Sequence, residues 1–170
     1  MAFPADLAIR FAVPDDSATI LTFIQELAEY EKLSDHVIAD EAAIRATLFG
    51  VRPAAEVLIA EVAGTPAGFA LFFQSYSTFL AKPGLYLEDL FVRPAARSQG
   101  IGRALMSACA RIAVQRNYGR FEWSVLDWNE PALKFYRSLG AQPQSEWTMQ
   151  RLTSEIVNLA EQWPHPVGET

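Results

Sequence analysis

The sequence predicts one domain of the α/β (α+β) class, in which helices pack on a mixed β-sheet. Two observations support this class. Helix-like segments with apolar residues every three or four positions alternate with short strand-like runs, in the order β-α-α-β-β-β-α-β-α-β-α. Of the 170 residues 51% are hydrophobic, which suffices for a sizeable core. We assign the domain to residues 1–163 and a C-terminal tail to residues 164–170.

The first half of the chain predicts a strand, two helices and a β-hairpin. Asp15 or Asp16 can cap the first helix, and Asp40 can cap the second, which ends at Gly50. The turn Gly64-Thr65-Pro66 joins the next two strands. The predicted bounds are Leu7 to Val13, a helix to about Tyr30, Glu41 to Phe49, Glu56 to Ala63, and Ala67 to Tyr76.

The second half predicts three further strands and three further helices. Lys82-Pro83-Gly84 is a predicted turn, Pro131 suits the first turn of a helix, and Gly140 suits its C-cap. The predicted bounds are Leu85 to Val92, Gly102 to Asn117, Arg120 to Leu126, a helix from Pro131 to about Leu139, Glu146 to Leu152, and Ser154 to Gln162. The third helix has Leu105, Met106, Cys109, Ile112 and Ala113 on one face.

Composition excludes several classes of protein. A net charge of −6 leaves no basic stripe for nucleic acid. The single cysteine, Cys109, excludes an intrachain disulfide, and His36 and His165 have no zinc-ligand spacing. The N-terminus lacks the pattern of a signal peptide, and no apolar run is long enough to span a bilayer. We therefore expect a soluble cytoplasmic protein without a metal, a nucleic-acid partner or a membrane partner.

The loop from Ala96 to Gly102 joins a strand end to a helix start, where unpaired N–H groups and the helix dipole favour anions. Gly100 and Gly102 allow a phosphate to approach the backbone, and Arg97 and Arg103 add positive charge. These features favour a pyrophosphate site, whereas the alternative is a turn that only packs the helix on the strand.

Two familiar phosphate-binding motifs do not fit this loop. A Walker A loop requires Gly, four residues and Gly-Lys-Ser/Thr, and no such run occurs. A dinucleotide-binding fingerprint requires a small residue where Leu105 stands.

The motif Arg97-x-x-Gly100-x-Gly102 resembles the acetyl-CoA pyrophosphate loop of the GNAT N-acetyltransferases. The segments LAEYEKL (27–33), LYLEDLFV (85–92) and VLDWNEPALKFYRSLGA (125–141) resemble the spermidine/spermine (diamine) acetyltransferase branch. The segment VLDWN, and a loop at residues 76–80 without an acid, resemble the thialysine acetyltransferase-like members more than the polyamine-specific ones. The resemblance implies a mostly antiparallel central sheet with helices on both faces, acetyl-CoA as co-substrate, and a homodimer.

The resemblance also implies which residues contact acetyl-CoA. Backbone groups of Leu90, Phe91 and Val92 would hold the pantetheine and acetyl group, with the N–H of Phe91 or Val92 facing the oxyanion. Asn129 would bond the amide-bearing arm, and Arg137 would add a phosphate contact. The pyrophosphate loop would comprise Arg97, Ser98, Gln99, Gly100, Ile101, Gly102 and Arg103.

Tyr136 and Glu88 are the catalytic residues that the resemblance implies. A primary amine has a pKa near ~10.4 and must lose a proton before it attacks the thioester. Glu88 would accept that proton, through water, and Tyr136 would protonate the CoA sulfur. Asp89, Tyr30 and Glu31 would bind the amine together with Glu88. The alternative for Tyr136 is packing in the core. The alternatives for the acids are a solvated helix end for Glu31, and for the strand acids a solvated sheet edge or pairing with a buried arginine.

Strict alternation along the strand places Tyr86 and Glu88 on one face of the sheet, and Leu87 and Asp89 on the other.

The predicted function is acetyl-CoA-dependent N-acetylation of a primary amine of a small di/polyamine or lysine-like molecule, by direct attack in a ternary complex. The acid-free loop at residues 76–80 favours a short amine over a long polyamine, because each missing carboxylate weakens binding of a multiply charged chain. A protein lysine or N-terminal acetyltransferase is one alternative. A non-catalytic acyl-CoA-binding module is another, and the presence of Glu88 and Tyr136 argues against it.

Overall fold

The computed structural model describes residues 3–162. The chain divides into two compact units, one up to Ser124 and one from Val125. The first unit contains β1 (Leu7–Phe11), α1 (Ser17–Glu31), α2 (Glu41–Phe49), β2 (Glu56–Val62), β3 (Thr65–Ser77), β4 (Lys82–Val92), α3 (Ile101–Gln115) and β5 (Phe121–Trp123). The second contains α4 (Glu130–Arg137) and α5 (Glu155–Ala160).

The sheet of the first unit has the strand order β1-β2-β3-β4-β5. Neighbours from β1 to β4 are antiparallel, and β5 lies parallel to β4. Ala63 and Gly64 both have positive φ (49° and 74°), as the two central residues of a type I′ hairpin turn do. The predicted mixed, mostly antiparallel sheet is confirmed, and the first hairpin turn lies one residue earlier than expected.

Aromatic side chains form the core between the sheet and the first two helices. The Phe23 ring of α1 stacks on Phe69 of β3 at 5.3 Å and meets Phe91 of β4 edge-on at 6.3 Å. This cluster also contains Ile20, Ile44, Val57 and Ile59.

The third helix packs on the other side of the sheet. Since Val57 and Ile59 face α1 and α2, strand alternation turns Leu58 and Ala60 to the opposite face, and both are buried. The helix α3 contacts β1, β2, β3 and β4. Its predicted apolar face is confirmed, because Leu105, Met106, Cys109, Ile112 and Ala113 are all buried.

Three local predictions are wrong or incomplete. Lys82–Gly84 is not a turn, because these residues pair with Ser77–Ser75 as the start of β4, and residues 78–81 form the turn. Asp16 occupies the N-cap position of α1, but its carboxylate accepts from Val13 N–H and from Arg10. The strand predicted from Arg120 to Leu126 is shorter in the structure. It ends at Trp123, where its pairing with β4 ends.

The predicted strand from Glu146 to Leu152 is also wrong. Residues 146–152 are exposed and form no strand. Alternating apolar side chains make a stable strand only where a neighbouring strand satisfies the backbone N–H and C=O groups. The last predicted helix is present as α5, and the predicted tail at residues 164–170 lies outside the described residues.

Candidate active site

A β-bulge interrupts β4 at Glu88. Leu71 of β3 lies opposite Asp89, whereas the next residue of β3, Phe72, lies opposite Leu87. Glu88 is therefore the extra residue, and the bulge reverses the alternation of side chains. Leu87 and Asp89 consequently face opposite sides of the sheet, contrary to the expected alternation. Glu88 is exposed, and Asp89 lies on the face that packs against α1.

Beyond the bulge, β4 has an open edge. The parallel pairing with β5 covers only Leu85–Leu87, so residues 88–92 have no strand on that side within the described part of the chain. The N–H of Arg93 donates to Ala67 O of the preceding strand segment at 2.9 Å. Backbone groups alternate in direction along a strand, so those of Phe91 face β3, and those of Leu90 and Val92 face the open edge. An extended ligand with amide groups can pair there as an additional strand would.

The loop after β4 has the backbone geometry of an anion site. Ser98 and Gly100 both have positive φ (63° and 82°), and such residues next to right-handed ones turn successive N–H groups to one side. The first helical hydrogen bond of α3 runs from Ala104 N–H to Gly100 O, so the N–H groups of residues 101–103 precede it. The loop therefore fits a diphosphate at the positive end of a helix of 15 residues.

Arg97 connects this loop to the end of α1. Its Nε–H donates to the backbone oxygen of Val92 at 2.9 Å. Its guanidinium lies over the rings of Tyr30, at 4.6 Å, and Phe91, at 5.7 Å. The sequence predicted the charge of Arg97 but gave no indication of these contacts, because they join segments far apart in the chain.

Acidic side chains meet where α1 ends beside β4. Burial raises the pKa of Glu31, the last residue of α1. Burial raises the pKa of Asp89 to about 6, with further contributions from the charges of Glu88 and Glu31. Asp89 is partly buried and is repelled by the charges of Glu88 and Glu31, which favours a cation, since its binding reduces both the repulsion and the cost of burial.

Replacing Asp89 by Asn is expected to stabilise the protein at pH 8. The pKa of Asp89 is raised in the folded state, so its contribution to stability is greatest below about pH 4 and is lost as the pH rises through 6. We expect the free energy of unfolding to rise by about 1–3 kcal/mol at pH 8 and to change little at pH 4. Urea unfolding at both pH values measures this difference.

Glu88→Gln is the matched control for this comparison, because it removes the exposed neighbouring carboxylate. At pH 8 it should raise the free energy of unfolding by only a fraction of the amount expected for Asp89→Asn. Equal effects of the two substitutions, or a gain that persists at pH 4, would contradict the raised pKa of Asp89.

A contact that the sequence analysis did not identify lies where β4 and β5 separate. Tyr86 Oη is 2.8 Å from Ser124 Oγ, and either hydroxyl can donate. Ser124 directly follows the last residue of β5, so this hydrogen bond connects the strands at the start of the open edge. No local sequence pattern predicts a hydrogen bond between two hydroxyl groups that are 38 residues apart in the chain.

The remaining predicted site residues belong to the second unit. Asn129 is buried and caps α4, with its side-chain oxygen accepting from Ala132 N–H at 3.3 Å. Tyr136 is half-buried in the last turn, with its ring 5.3 Å from that of Phe135. Arg137 is exposed at the end of the helix. Asn129 therefore has a structural role as a helix cap, and Tyr136 has one in aromatic packing. Their roles toward acetyl-CoA stay predictions.

Comparison with known proteins identifies the family. The chain matches the model of the Acetyltransferase (GNAT) family over residues 21–141, and it belongs to this family. It is 41% identical to a thialysine N-epsilon-acetyltransferase of Bos taurus, over 86% of this chain and 88% of that protein. It is 34% identical to the L-ornithine N5-acetyltransferase NATA1 of Arabidopsis thaliana, over 88% of this chain and 85% of that protein.

Two further similarities concern the branch and the fold. The human spermidine/spermine N(1)-acetyltransferase-like protein 1 is 32% identical over 78% of this chain and 20% of that protein. A solved integron cassette protein of V. cholerae superposes with a TM-score of 0.77 at 26% identity, over 93% of this chain and 99% of that one. The predicted family and branch are confirmed, and the protein is an N-acetyltransferase, an enzyme of a family whose co-substrate is acetyl-CoA.

Between residues 3 and 162 there is no group of three His, Cys, Asp or Glu side chains able to hold a metal ion. None of the helices in that range is both long and apolar enough to cross a membrane.

Proposed function

We propose that this enzyme transfers the acetyl group of acetyl-CoA to a side-chain amine of a small amino acid such as ornithine or a lysine analogue, by direct attack in a ternary complex. One observation supports this most strongly. The open edge of β4 begins at two carboxylates, Glu88 and Asp89, and continues directly into the loop with anion-site geometry. A thioester held along that edge would have its phosphates at one end and an amine-binding pocket at the other.

The backbone of this region suits the arms of acetyl-CoA, which supplies a thioester carbonyl that an amine can attack. Leu90 offers its N–H and C=O, and Val92 its N–H, to the pantetheine amides along the open edge, because Val92 O already accepts from Arg97 Nε–H. Of the two donors expected beside the developing negative charge, Phe91 N–H faces β3 and Val92 N–H faces the open edge, where Leu90 N–H lies two residues nearer to Glu88 and Asp89. Residues 98–103 would bind the diphosphate, and the contacts of Asn129 and Arg137 with the cofactor are those that the resemblance to the family implies.

The two carboxylates have different roles toward the amine: Asp89 binds it and Glu88 accepts its proton. Asp89 is partly buried, so an ammonium bound beside it would offset the cost of burying its charge. Glu88 is exposed at the bulge and can pass the amine proton to solvent through water. Tyr136 would donate a proton to the departing sulfur. These three roles follow the resemblance to the family, and burial and exposure support the division between the two acids.

Two of the relatives indicate the substrate class. They act on thialysine and on ornithine, each of which carries a side-chain amine on a short amino acid. The turn at residues 78–81 has no acid for the far end of a polyamine. A short amine that reaches only Glu31, Glu88 and Asp89 therefore suits this chain better than spermine.

The test is CoA release from acetyl-CoA with a panel of amines. The panel contains ornithine, lysine, thialysine, putrescine, spermidine, spermine and a lysine peptide, and mass spectrometry identifies the product. We expect the amino acids to have kcat/KM values at least about tenfold above that of spermine, a difference of about 1.4 kcal/mol. Preference for spermine would contradict the substrate class. Turnover of the peptide alone would indicate a protein acetyltransferase, and acetyl-CoA binding without any turnover would indicate a binding module.

We also propose that the enzyme acts as a cytoplasmic homodimer, as its branch of the family implies. Trp147 is 78% exposed, which is compatible with a subunit contact, and Trp163 lies outside the described residues. A monomer in sedimentation at working concentration would contradict the dimer.

A further inference from the structure

The side chain of Arg97 contacts groups on two sides of the site at once. On the cofactor side, its Nε–H donates to Val92 O, at the end of the open edge of β4. On the amine side, its guanidinium lies 4.6 Å from the centre of the Tyr30 ring. The Phe91 ring, 5.7 Å away, supports the guanidinium from the core.

These contacts require the shape of arginine as well as its charge. A planar guanidinium can stack on an aromatic ring while its Nε–H donates in the same plane, and a lysine ammonium on a flexible stem cannot hold that geometry. Tyr30 lies in the last turn of α1, directly before Glu31, which contributes to the raised pKa of Asp89. The orientation of Tyr30 therefore affects the position of the neighbouring Glu31, whose charge acts on Asp89.

We propose that Arg97 is a positioning residue, which holds Tyr30 and the end of α1 against the cofactor strand and so shapes the amine-binding pocket. The proposal rests on the proposed function, because it concerns the amine side of that site. It differs from a role in binding diphosphate, for which the charge of Arg97 alone would suffice. The two roles predict losses in different kinetic constants.

The charge-conserving substitution Arg97→Lys separates these roles. We expect the KM for the amine to rise, or kcat/KM for the amine to fall, by about tenfold, while the Kd of acetyl-CoA changes less than about twofold. Loss of acetyl-CoA affinity with unchanged amine kinetics would overturn the proposal and assign Arg97 to the diphosphate.

A double-mutant cycle with Tyr30 tests whether Arg97 acts through that ring. In a Tyr30→Leu background, Arg97→Lys should lose most of its effect on the amine, whereas in a Tyr30→Phe background, which keeps the ring, its effect should persist. Arg103→Lys is the matched control from the same loop, and its effect should be the same in all three backgrounds. Additive effects of Arg97→Lys and Tyr30→Leu would overturn the proposal.

The same cycle measured by urea unfolding needs no substrate. Coupling between Arg97 and Tyr30 should appear as non-additive shifts in the unfolding midpoint, whether or not any amine is acetylated. If the wild type turned over no amine, the proposed function would fail while the contact could still be confirmed. Additive unfolding midpoints would overturn the contact itself.

Discussion

Replacing Tyr136 by Phe is expected to lower kcat by about 100-fold or more, within the range usual for loss of a general acid. The Kd of acetyl-CoA should stay unchanged, because the substitution removes only the hydroxyl that would protonate the departing sulfur. A thiol has a pKa near ~8.5 and a phenol near ~10, so tyrosine can act as a transient donor that solvent reprotonates. Steady-state kinetics and equilibrium binding of acetyl-CoA measure the two constants.

Phe135→Leu is the matched control for this prediction. It removes the aromatic contact at 5.3 Å from the Tyr136 ring but keeps the hydroxyl. It should lower the free energy of unfolding, and it should reduce kcat far less than Tyr136→Phe does. If Tyr136→Phe left kcat unchanged, Tyr136 would be an aromatic packing residue of α4, and the proton would come from elsewhere.

Replacing Gly102 by Val is expected to weaken acetyl-CoA binding by about 100-fold, by placing a branched side chain where backbone N–H groups must approach a diphosphate. The residue lies in the first turn of α3, two positions after the left-handed Gly100. Isothermal titration with acetyl-CoA measures the change in Kd, and circular dichroism checks that the helix is retained.

Gly102→Ala provides a graded control, because alanine favours helix and adds only one methyl group. It should have a smaller effect on binding than valine has. Equal affinity of the wild type and the valine variant would show that the diphosphate does not approach the start of α3.

Local patterns predicted most of the helices and strands. The five apolar residues of α3 have a clear helical period, and each is buried as expected. The loop from Arg97 to Gly102 was identified from glycine spacing between a strand and a helix, and its positive φ angles at Ser98 and Gly100 agree with that geometry. Such features depend on neighbours within one or two turns of the chain, so the sequence contains the information directly.

The features that shape the site depend instead on pairing between distant segments. The bulge at Glu88 exists because β3 and β4 shift register there, and no glycine or proline marks it. The open edge depends on where β5 stops pairing. The pKa of Asp89 depends on burial against α1 and on Glu31, 58 positions away in the chain. The expected strand from Glu146 failed for the same reason, because pairing decides whether alternation becomes a strand.

Residue-resolved hydrogen exchange with and without CoA tests the central claim most directly. The claim is that the open edge of β4 and the start of α3 hold the cofactor. CoA should slow exchange of the backbone amides of Leu90, Val92 and residues 98–103, and the amide of Phe91, which faces β3, should change little. Protection confined to another surface, such as the groove beside α1 lined by Thr22, Gln25 and Glu29, would contradict the claim.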